Sequence, residues 1–263
     1  MSRAAFDPTP PGFGAPVAPP EPWWGNHLGE LRWQAELARL LVDPVFRGEG
    51  VERGDGAPVV LVPGFMAGDV TLAVLRGWLG RMGYDAHGCG MLANVDCSDR
   101  ACDKVHAHVI ALHERTGRRV TIIGHSRGGH FAKALARRDP ERVAAAISIG
   151  AGLDTPFDIS TPTRAAVRAV RAIHARTSDR IARNGCFTDT CRCKFTTDYA
   201  GPTPEAVPLT SIYSKGDGVV RWRACIVPYA RCVEVTGSHV GLAFNRKVYA
   251  EVGRTLAAQT RGI

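Results

Sequence analysis

The sequence predicts an α/β domain in which a mostly parallel sheet of about six strands is covered by helices on both faces. Short apolar segments alternate along the chain with segments whose apolar residues recur at helical spacing, as parallel strands with helical crossovers require. The strand-like segments are also apolar throughout, which is typical of strands buried on both faces. With 263 residues, the chain is long enough to bury one such core.

Each predicted strand is short and is bounded by turn residues or helical pattern. The predicted strands cover residues 57–65, 84–90, 118–124, 143–152, 208–214 and 231–235. The predicted helices cover residues 26–46, 70–83, 99–117, 127–140, 161–185 and 240–259. Strands and helices therefore alternate over most of the chain, and no internal repeat interrupts them.

The chain divides into an arm and one domain. Residues 1–25 are rich in proline and form an extended or disordered arm, whose Trp23 and Trp24 are expected to dock onto the body. The domain covers residues 26–263. Within it, residues 151–205 form an irregular segment rich in cysteine and arginine, which we expect to be a cap or lid inserted above the strand ends.

Composition excludes several functional classes. The formal net charge is +8, but the basic residues are scattered, and no zinc-finger or helix-turn-helix pattern accompanies them, so we expect no nucleic-acid partner. No apolar run approaches the roughly 20 residues of a membrane span, and no secretory signal is apparent. The expected location is cytoplasmic, although the cysteine content leaves an oxidising compartment open. The oligomeric state is not predicted.

Seven of the eight cysteines fall in local groups. These are Cys97 with Cys102, Cys186 with Cys191 and Cys193, and Cys225 with Cys232. Such groups suit small disulfide loops as well as reduced thiols. A zinc cluster around residues 186–193 is the third alternative, but this segment does not supply a standard fourth ligand. No metal or cofactor site is predicted.

A Gly-His-Ser-Arg-Gly turn joins the strand at 118–124 to the following helix. A turn this tight strains its apex residue, and side chains two places before and after it would collide, so glycines are required at Gly124 and Gly128. The turn lifts Ser126 out of the sheet edge and places the N–H of Arg127 at a helix start, where an anion is stabilised. Ser126 is therefore a candidate nucleophile.

Two more strands end in loops that carry partners for this serine. Asp217 follows the strand at 208–214, and His239 follows the strand at 231–235. Because parallel strands end at one edge of the sheet, the three side chains are expected to meet there as nucleophile, orienting acid and general base. Asp154, after the strand at 143–152, is the rival acid.

The loop after the first strand supplies a second oxyanion donor. Gly64 lets the backbone turn, and the N–H of Phe65 would point into the cleft beside that of Arg127. Met66 is the second choice for this donor.

Four motifs, namely "VPGF" after the first strand, "GHSRGG", "IYSKGDGVV" and "GSHVGL", occur in an order and spacing that resembles the α/β-hydrolase superfamily, in particular its bacterial serine esterases and lipases. The resemblance spans residues 57–258. One departure is Pro63, which stands where such lipases usually have a histidine at the start of the oxyanion loop.

The resemblance implies hydrolysis of carboxylic esters, including lipid esters, through Ser126, His239 and Asp217, with the amides of Phe65 and Arg127 as the oxyanion hole and without a metal or organic cofactor. An acyltransferase would use the same residues and pass the acyl group to an alcohol. A catalytically silent binding module is the third alternative.

The helix predicted within residues 161–185 has two interpretations. It is either an amphipathic lid that contacts lipid surfaces or anionic substrates, or a helix that packs its apolar side on the domain with its arginines in water. The arginines are Arg164, Arg168, Arg171, Arg176, Arg180 and Arg183, and the apolar positions include Val167, Val170 and Ile181.

Overall fold

The computed structural model describes residues 23–176, 185–188 and 190–261. Its centre is a six-stranded sheet in the order β2-β1-β3-β4-β5-β6, with every neighbouring pair parallel. The strands are β1 (Pro58–Val62), β2 (Asp85–His87), β3 (Val120–His125), β4 (Val143–Ile149), β5 (Leu209–Ser214) and β6 (Arg231–Val235). The predicted fold class and all six predicted strands are confirmed.

Helices flank the sheet on both faces. They are α1 (His27–Glu30), α2 (Trp33–Val42), α3 (Pro44–Arg47), α4 (Ala73–Arg81), α5 (Ser98–Thr116), α6 (Arg127–Arg138), α7 (Thr161–Ala175), α8 (Lys194–Tyr199) and α9 (Arg246–Arg261). Short 3-10 helices cover Asp69–Leu72, Trp222–Cys225 and Val240–Phe244. Two of them occupy the first turns of helices that the sequence predicts as continuous.

The single helix predicted over residues 26–46 is wrong, because the segment folds as α1, α2 and α3. The break before α3 follows from Pro44, which disfavours helical geometry at the preceding residue. Asp43 is accordingly extended, with φ −74° and ψ 140°, and its carboxylate accepts a hydrogen bond of 3.0 Å from the N–H of Val45. Asp43 thus ends one helix and caps the next.

The two faces of the sheet carry separate apolar layers. Helices α5, α6 and α8 cover one face, and α2, α4 and α9 cover the other. On the second face, the indole of Trp78 is fully buried, lies 4.9 Å from the Tyr249 ring and donates a hydrogen bond to the Val45 carbonyl. This contact attaches the N-terminal helices to the body of the domain.

The segment at 151–205 is less uniform than the sequence suggests. Its helix α7 lies beside the carboxyl edge of the sheet, but α8, which the sequence pattern does not predict, packs into the core through buried Phe195 and Tyr199. The Phe195 ring lies 5.6 Å from that of Phe131 on α6. The second half of the segment is therefore part of the body, while residues 177–184, with Arg180, Ile181 and Arg183, lie outside the described residues.

The structure describes only the end of the predicted N-terminal arm. Of the predicted arm, only residues 23–25 are described, and the Trp23 carbonyl accepts a hydrogen bond from the N–H of Thr161.

All eight cysteines are free thiols. Of the alternatives that the sequence leaves open, the structure thus contains the thiols and no disulfide within the local groups. Cys97 and Cys102 lie five residues apart around one helix, on different sides of it. Among the described residues, no helix has the length and apolarity to cross a membrane.

Candidate active site

Ser126 occupies the turn between β3, which ends at His125, and α6, which begins at Arg127. Its φ of 52° is positive, a conformation that costs an L-residue free energy and that the surrounding structure must impose. The side chain consequently projects from the carboxyl edge of the sheet rather than into either apolar layer.

The glycines of the turn are required by close backbone contacts. A Cβ added at Gly124 would lie 2.1 Å from the carbonyl carbon of Gly128, and a Cβ added at Gly128 would lie 2.1 Å from the carbonyl oxygen of Val62. Both distances are far below any van der Waals contact with backbone. The first turn of α6 therefore lies directly against β3 and β1, and only glycine fits at these two positions.

The Asp217 and His239 loops meet beside this turn. The Nδ1–H of His239 donates a hydrogen bond of 2.7 Å to Oδ2 of Asp217, and both side chains are buried. The other carboxylate oxygen of Asp217 accepts hydrogen bonds from the N–H groups of Val219 and Val220, at 2.8 and 2.7 Å. These bonds fix the carboxylate, which in turn fixes the imidazole so that its Nε2 is the free nitrogen.

The electrostatic surroundings favour a proton on His239. Burial alone would lower the pKa of this imidazole, but the charge and the hydrogen bond of Asp217, with the charge of Glu30, outweigh burial and raise the pKa above its usual value of 6.5. A base with this pKa accepts a proton readily near neutral pH.

The pKa of His125, the histidine next to His239, is shifted in the opposite direction. The rings of His125 and His239 lie 4.9 Å apart, and the Nε2–H of His125 donates to the main-chain carbonyl of His239. Burial, and then the positive charge of His239, lower the pKa of His125 to about 4. His125 is therefore neutral and contributes a hydrogen bond that supports the His239 loop.

The rival acid, Asp154, points to a different partner. Its carboxylate accepts a hydrogen bond of 3.0 Å from the buried ammonium of Lys133 and a second hydrogen bond from the Tyr229 hydroxyl. Burial of Lys133 lowers the pKa of its ammonium to about 8 despite the attraction of Asp154. Asp154 thus neutralises a buried cation, and Asp217 is the carboxylate that contacts the imidazole.

The loop after β1, which carries the predicted donor Phe65, is held by a residue that the sequence pattern did not single out. The side-chain amide of buried Asn94 donates to the Pro63 carbonyl at 2.8 Å, and its main-chain carbonyl accepts from the N–H of Met66 at 3.1 Å. The amide of Met66 is thereby occupied. Among the hydrogen bonds of the described residues, none uses the N–H of Phe65 or of Arg127, the two predicted donors.

The side chain of Arg127 is half-buried against the same support. Its guanidinium donates to the main-chain carbonyl and side-chain oxygen of Asn94, at 3.0 and 2.9 Å, and to the carbonyl of Asp96. Burial lowers the pKa of this guanidinium to about 10, so it stays charged at neutral pH. Arg127 therefore links the serine turn, through Asn94, to the loop that carries Phe65.

Two apolar cavities meet at Ser126. The larger, of 350 Å³, is lined by Ser126 and His239 together with apolar residues that include Trp33, Val240 and Phe244. The smaller, of 70 Å³, is lined by Ser126 and Arg127 together with side chains of the 151–205 segment, among them Phe157, Val167 and Phe187. Phe65 lines both cavities. The serine thus separates a wide apolar space on the imidazole side from a narrow one on the opposite side.

The N-terminal helices bind the two loops that carry Asp217 and His239. The carboxylate of buried Glu30, in α1, accepts hydrogen bonds from the N–H groups of Gly218, His239 and Val240, at 2.8, 2.9 and 2.9 Å. Glu36, in α2, accepts from the N–H and hydroxyl of Ser238. The sequence carries no local signal for these contacts, because the carboxylates lie some 200 positions before their partners.

The comparisons with known proteins agree with this architecture. A family model for the alpha/beta hydrolase fold matches residues 101–192. No curated protein sequence matches the chain.

Solved structures of hydrolases superpose on most of the chain at low sequence identity. The metagenomic carboxyl esterase MGS0156 is 14% identical, with a TM-score of 0.57, over 95% of this chain and 97% of the esterase. A structure from a study of LipS and LipT, two metagenome-derived lipolytic enzymes, is 16% identical, with a TM-score of 0.54, over 80% of this chain and 96% of the other chain. The monoacylglycerol lipase of Paleococcus ferrophilus is 13% identical, with a TM-score of 0.51, over 80% of this chain and 97% of the lipase.

The glycine contacts in the serine turn lead to a prediction about stability. We expect Gly128→Ala to lower the free energy of unfolding by about 3 kcal/mol or more, because its Cβ would overlap the carbonyl oxygen of Val62. Chemical denaturation of wild type and variant measures this difference. The control is Gly80→Ala, where a Cβ meets no atom within 4 Å. It should change stability by less than about 1 kcal/mol. Equal stability of wild type and Gly128→Ala would contradict the close approach of α6 to β1.

Proposed function

We propose that this chain, which has the α/β-hydrolase fold, is a serine hydrolase that cleaves carboxylic esters through Ser126, His239 and Asp217. The observation that carries the proposal is the buried hydrogen bond between His239 and Asp217, next to a strained serine that lines the same cavity as the imidazole. A carboxylate that orients an imidazole beside a serine hydroxyl is the arrangement that activates serine as a nucleophile.

In the proposed acylation step, the hydroxyl oxygen of Ser126 attacks the ester carbonyl carbon, and Nε2 of His239 accepts the hydroxyl proton. The negative charge that develops on the carbonyl oxygen is stabilised by the N–H groups of Phe65 and Arg127, the latter at the start of α6. The imidazolium of His239, stabilised by Asp217, then gives its proton to the alkoxide oxygen. The alcohol leaves, and the acyl group remains bonded to Ser126.

In the second step, water attacks the acyl-enzyme. His239 accepts the proton of the water, the tetrahedral oxyanion forms in the same place, and its collapse returns the proton to Ser126 and releases a carboxylic acid. An alcohol that takes the place of water would give a new ester, so product analysis with an added alcohol distinguishes hydrolysis from acyl transfer.

The two cavities suggest how an ester would lie. The leaving alcohol must stand within reach of His239, since the imidazole protonates it, and the 350 Å³ cavity is the one that His239 lines. The acyl chain then falls into the 70 Å³ cavity beside Arg127, between Phe157, Val167 and Phe187. We therefore propose a substrate with a short acyl chain and a larger apolar alcohol.

Three structural neighbours described as an esterase, lipolytic enzymes and a lipase support the choice of ester bonds over other acyl compounds.

The first experiment tests the nucleophile. The wild-type protein should react with a fluorophosphonate probe and hydrolyse p-nitrophenyl esters, whereas Ser126→Ala should lose probe labelling and lose hydrolysis by about four orders of magnitude or more, because the alanine lacks the attacking oxygen. The matched control is Ser98→Ala, which alters another serine that lines the smaller cavity and should keep probe labelling. Labelling of Ser126→Ala equal to wild type would exclude the proposed nucleophile.

The same assay tests the orientation of the ester. Acetyl and butyryl esters should be cleaved with kcat/KM at least about tenfold above that of the octanoyl ester of the same alcohol, because the narrow cavity excludes the long chain. With a fixed acetyl group, larger apolar alcohols should be accepted. The opposite preference would reverse the assignment of the two cavities and leave the nucleophile unaffected.

The pH dependence tests the base and the acid. Since His239 must be neutral to accept a proton, we expect kcat/KM to fall as the pH decreases through a kinetic pKa above 6.5. Asp217→Asn removes the charge and the hydrogen bond that raise this pKa, so the acidic limb should move to lower pH. Its kcat should also fall by about three to four orders of magnitude. Rate measurements from pH 5 to pH 9, at about unit intervals, separate the two effects.

Asp154→Asn is the control for this measurement, because it changes the rival carboxylate without touching the imidazole. It should leave the kinetic pKa unchanged, with any loss of stability followed separately by thermal denaturation. A large loss of kcat in Asp154→Asn alone would transfer the acid role from Asp217 to Asp154.

The hydrogen bonds between Glu30 and the loops that carry Asp217 and His239 give one more prediction. Glu30 acts through the loops that it binds and is a positioning residue. Glu30→Gln should lower kcat with little change in KM, and it should also lower the kinetic pKa of His239, because the Glu30 charge helps to raise that pKa. Glu234→Gln removes an exposed carboxylate paired with Lys215 and serves as the control. An unchanged pH profile in Glu30→Gln would reduce Glu30 to a role in stability only.

A further inference from the structure

Cysteines from distant parts of the chain converge on one point at the edge of the smaller cavity. The Sγ atoms of Cys97 and Cys186 lie 3.3 Å apart, those of Cys186 and Cys193 lie 3.4 Å apart, and those of Cys97 and Cys193 lie 3.7 Å apart. All three side chains are buried. These three sulfurs all lie within 4.8 Å of one another, and a fourth buried cysteine, Cys191, lies outside that group but only two residues before Cys193 in the chain.

The separations fit a tetrahedral thiolate site. Four sulfurs bound to zinc at about 2.3 Å stand at tetrahedron edges of about 3.8 Å, close to the three separations found here. Cys97 is the ligand that the spacing within residues 186–193 lacks. It lies 89 positions before Cys186, and the fold brings the two together.

We infer that Cys97, Cys186 and Cys193 bind one zinc ion, and that Cys191 completes a structural site of four thiolates by turning its side chain toward the ion. Each cysteine that enters coordination gives its thiol proton to solvent and forms one zinc–sulfur bond, so no oxidant or reductant is required. With four protein ligands the ion has no open position, which assigns it to structure rather than to the chemistry at Ser126.

The surroundings of the cluster suit negative sulfur. Cys97 is the N-cap of α5, a helix of 19 residues, so its sulfur lies at the end of the helix where the dipole favours negative charge. The half-buried guanidinium of Arg127 interacts electrostatically with Cys97 and Cys186. A zinc ion with four thiolates carries two negative charges, and a helix N-terminus and a half-buried cation both stabilise that charge.

A disulfide arrangement fits the same residues less well. A disulfide pairs sulfurs two by two, whereas each of Cys97, Cys186 and Cys193 has the other two at nearly equal separations. Three sulfurs around a common centre are the geometry that one ion imposes.

The site would attach one wall of the smaller cavity to the body. Its ligands join the start of α5 to residues 186–193, and this segment carries Phe187, whose ring lies 5.2 Å from the Arg127 guanidinium and lines that cavity. The zinc inference does not depend on ester hydrolysis, since its test measures bound metal.

The experiment determines the metal content of the purified full-length protein by mass spectrometry of the elements. We expect one zinc ion per chain in wild type, and a small fraction of that in Cys97→Ser and in Cys186→Ser, because each variant removes one ligand. Cys232→Ser is the matched control. Its thiol donates hydrogen bonds to the main-chain carbonyls of Val227 and Ala230 and does not belong to the group of clustered sulfurs, so zinc should be retained.

Exchange of the zinc for cobalt provides a measurement that does not depend on how the variants fold. The wild-type protein should acquire the visible absorption of tetrahedral cobalt bound by thiolates. Wild-type protein without bound metal, an iron centre, or a peptide map with Cys97, Cys186, Cys191 and Cys193 in two disulfides would each overturn the inference. So would full zinc retention in both ligand variants.

Discussion

The close approach of α6 to β1 is the constraint on which the candidate site depends. Gly128 lies against the carbonyl of Val62, and this contact restricts the backbone of the turn that carries Ser126. The serine is therefore held at a positive φ. The same contact brings the start of α6 beside the loop that follows β1. The side chain of Asn94 holds this loop at Pro63, and the Arg127 side chain binds Asn94 in turn, so the start of α6 and the loop that carries Phe65 are joined.

Two neighbouring imidazoles illustrate how position determines protonation. His125 and His239 lie 4.9 Å apart, and both are buried. Only His239 faces a carboxylate, so its pKa is raised while that of His125 is lowered to about 4. A second charge at this distance would be costly in a buried site. The arrangement directs protons to one imidazole and leaves the other as a fixed hydrogen-bond donor.

The sequence predicted what local pattern and strand topology determine. Apolar segments located all six strands, and the rule that parallel strands end at one edge placed Asp217 and His239 together. The contacts of Glu30, Asn94 and Cys97 escaped prediction because each joins residues far apart in sequence, with no periodicity or spacing to mark them. Pro44 does indicate the break between α2 and α3. The sequence pattern nevertheless predicted one helix over residues 26–46, because the apolar residues of this segment recur at helical spacing.

The bonds of Glu30 have a consequence for the order in which the molecule is completed. Their partners lie 188, 209 and 210 positions further along the chain. During synthesis the glutamate leaves the ribosome long before the residues that it binds, and contacts of such separation form late in folding. The catalytic machinery that we propose is therefore assembled only once the C-terminal region has emerged, so a nascent or truncated chain is kept inactive by its own topology.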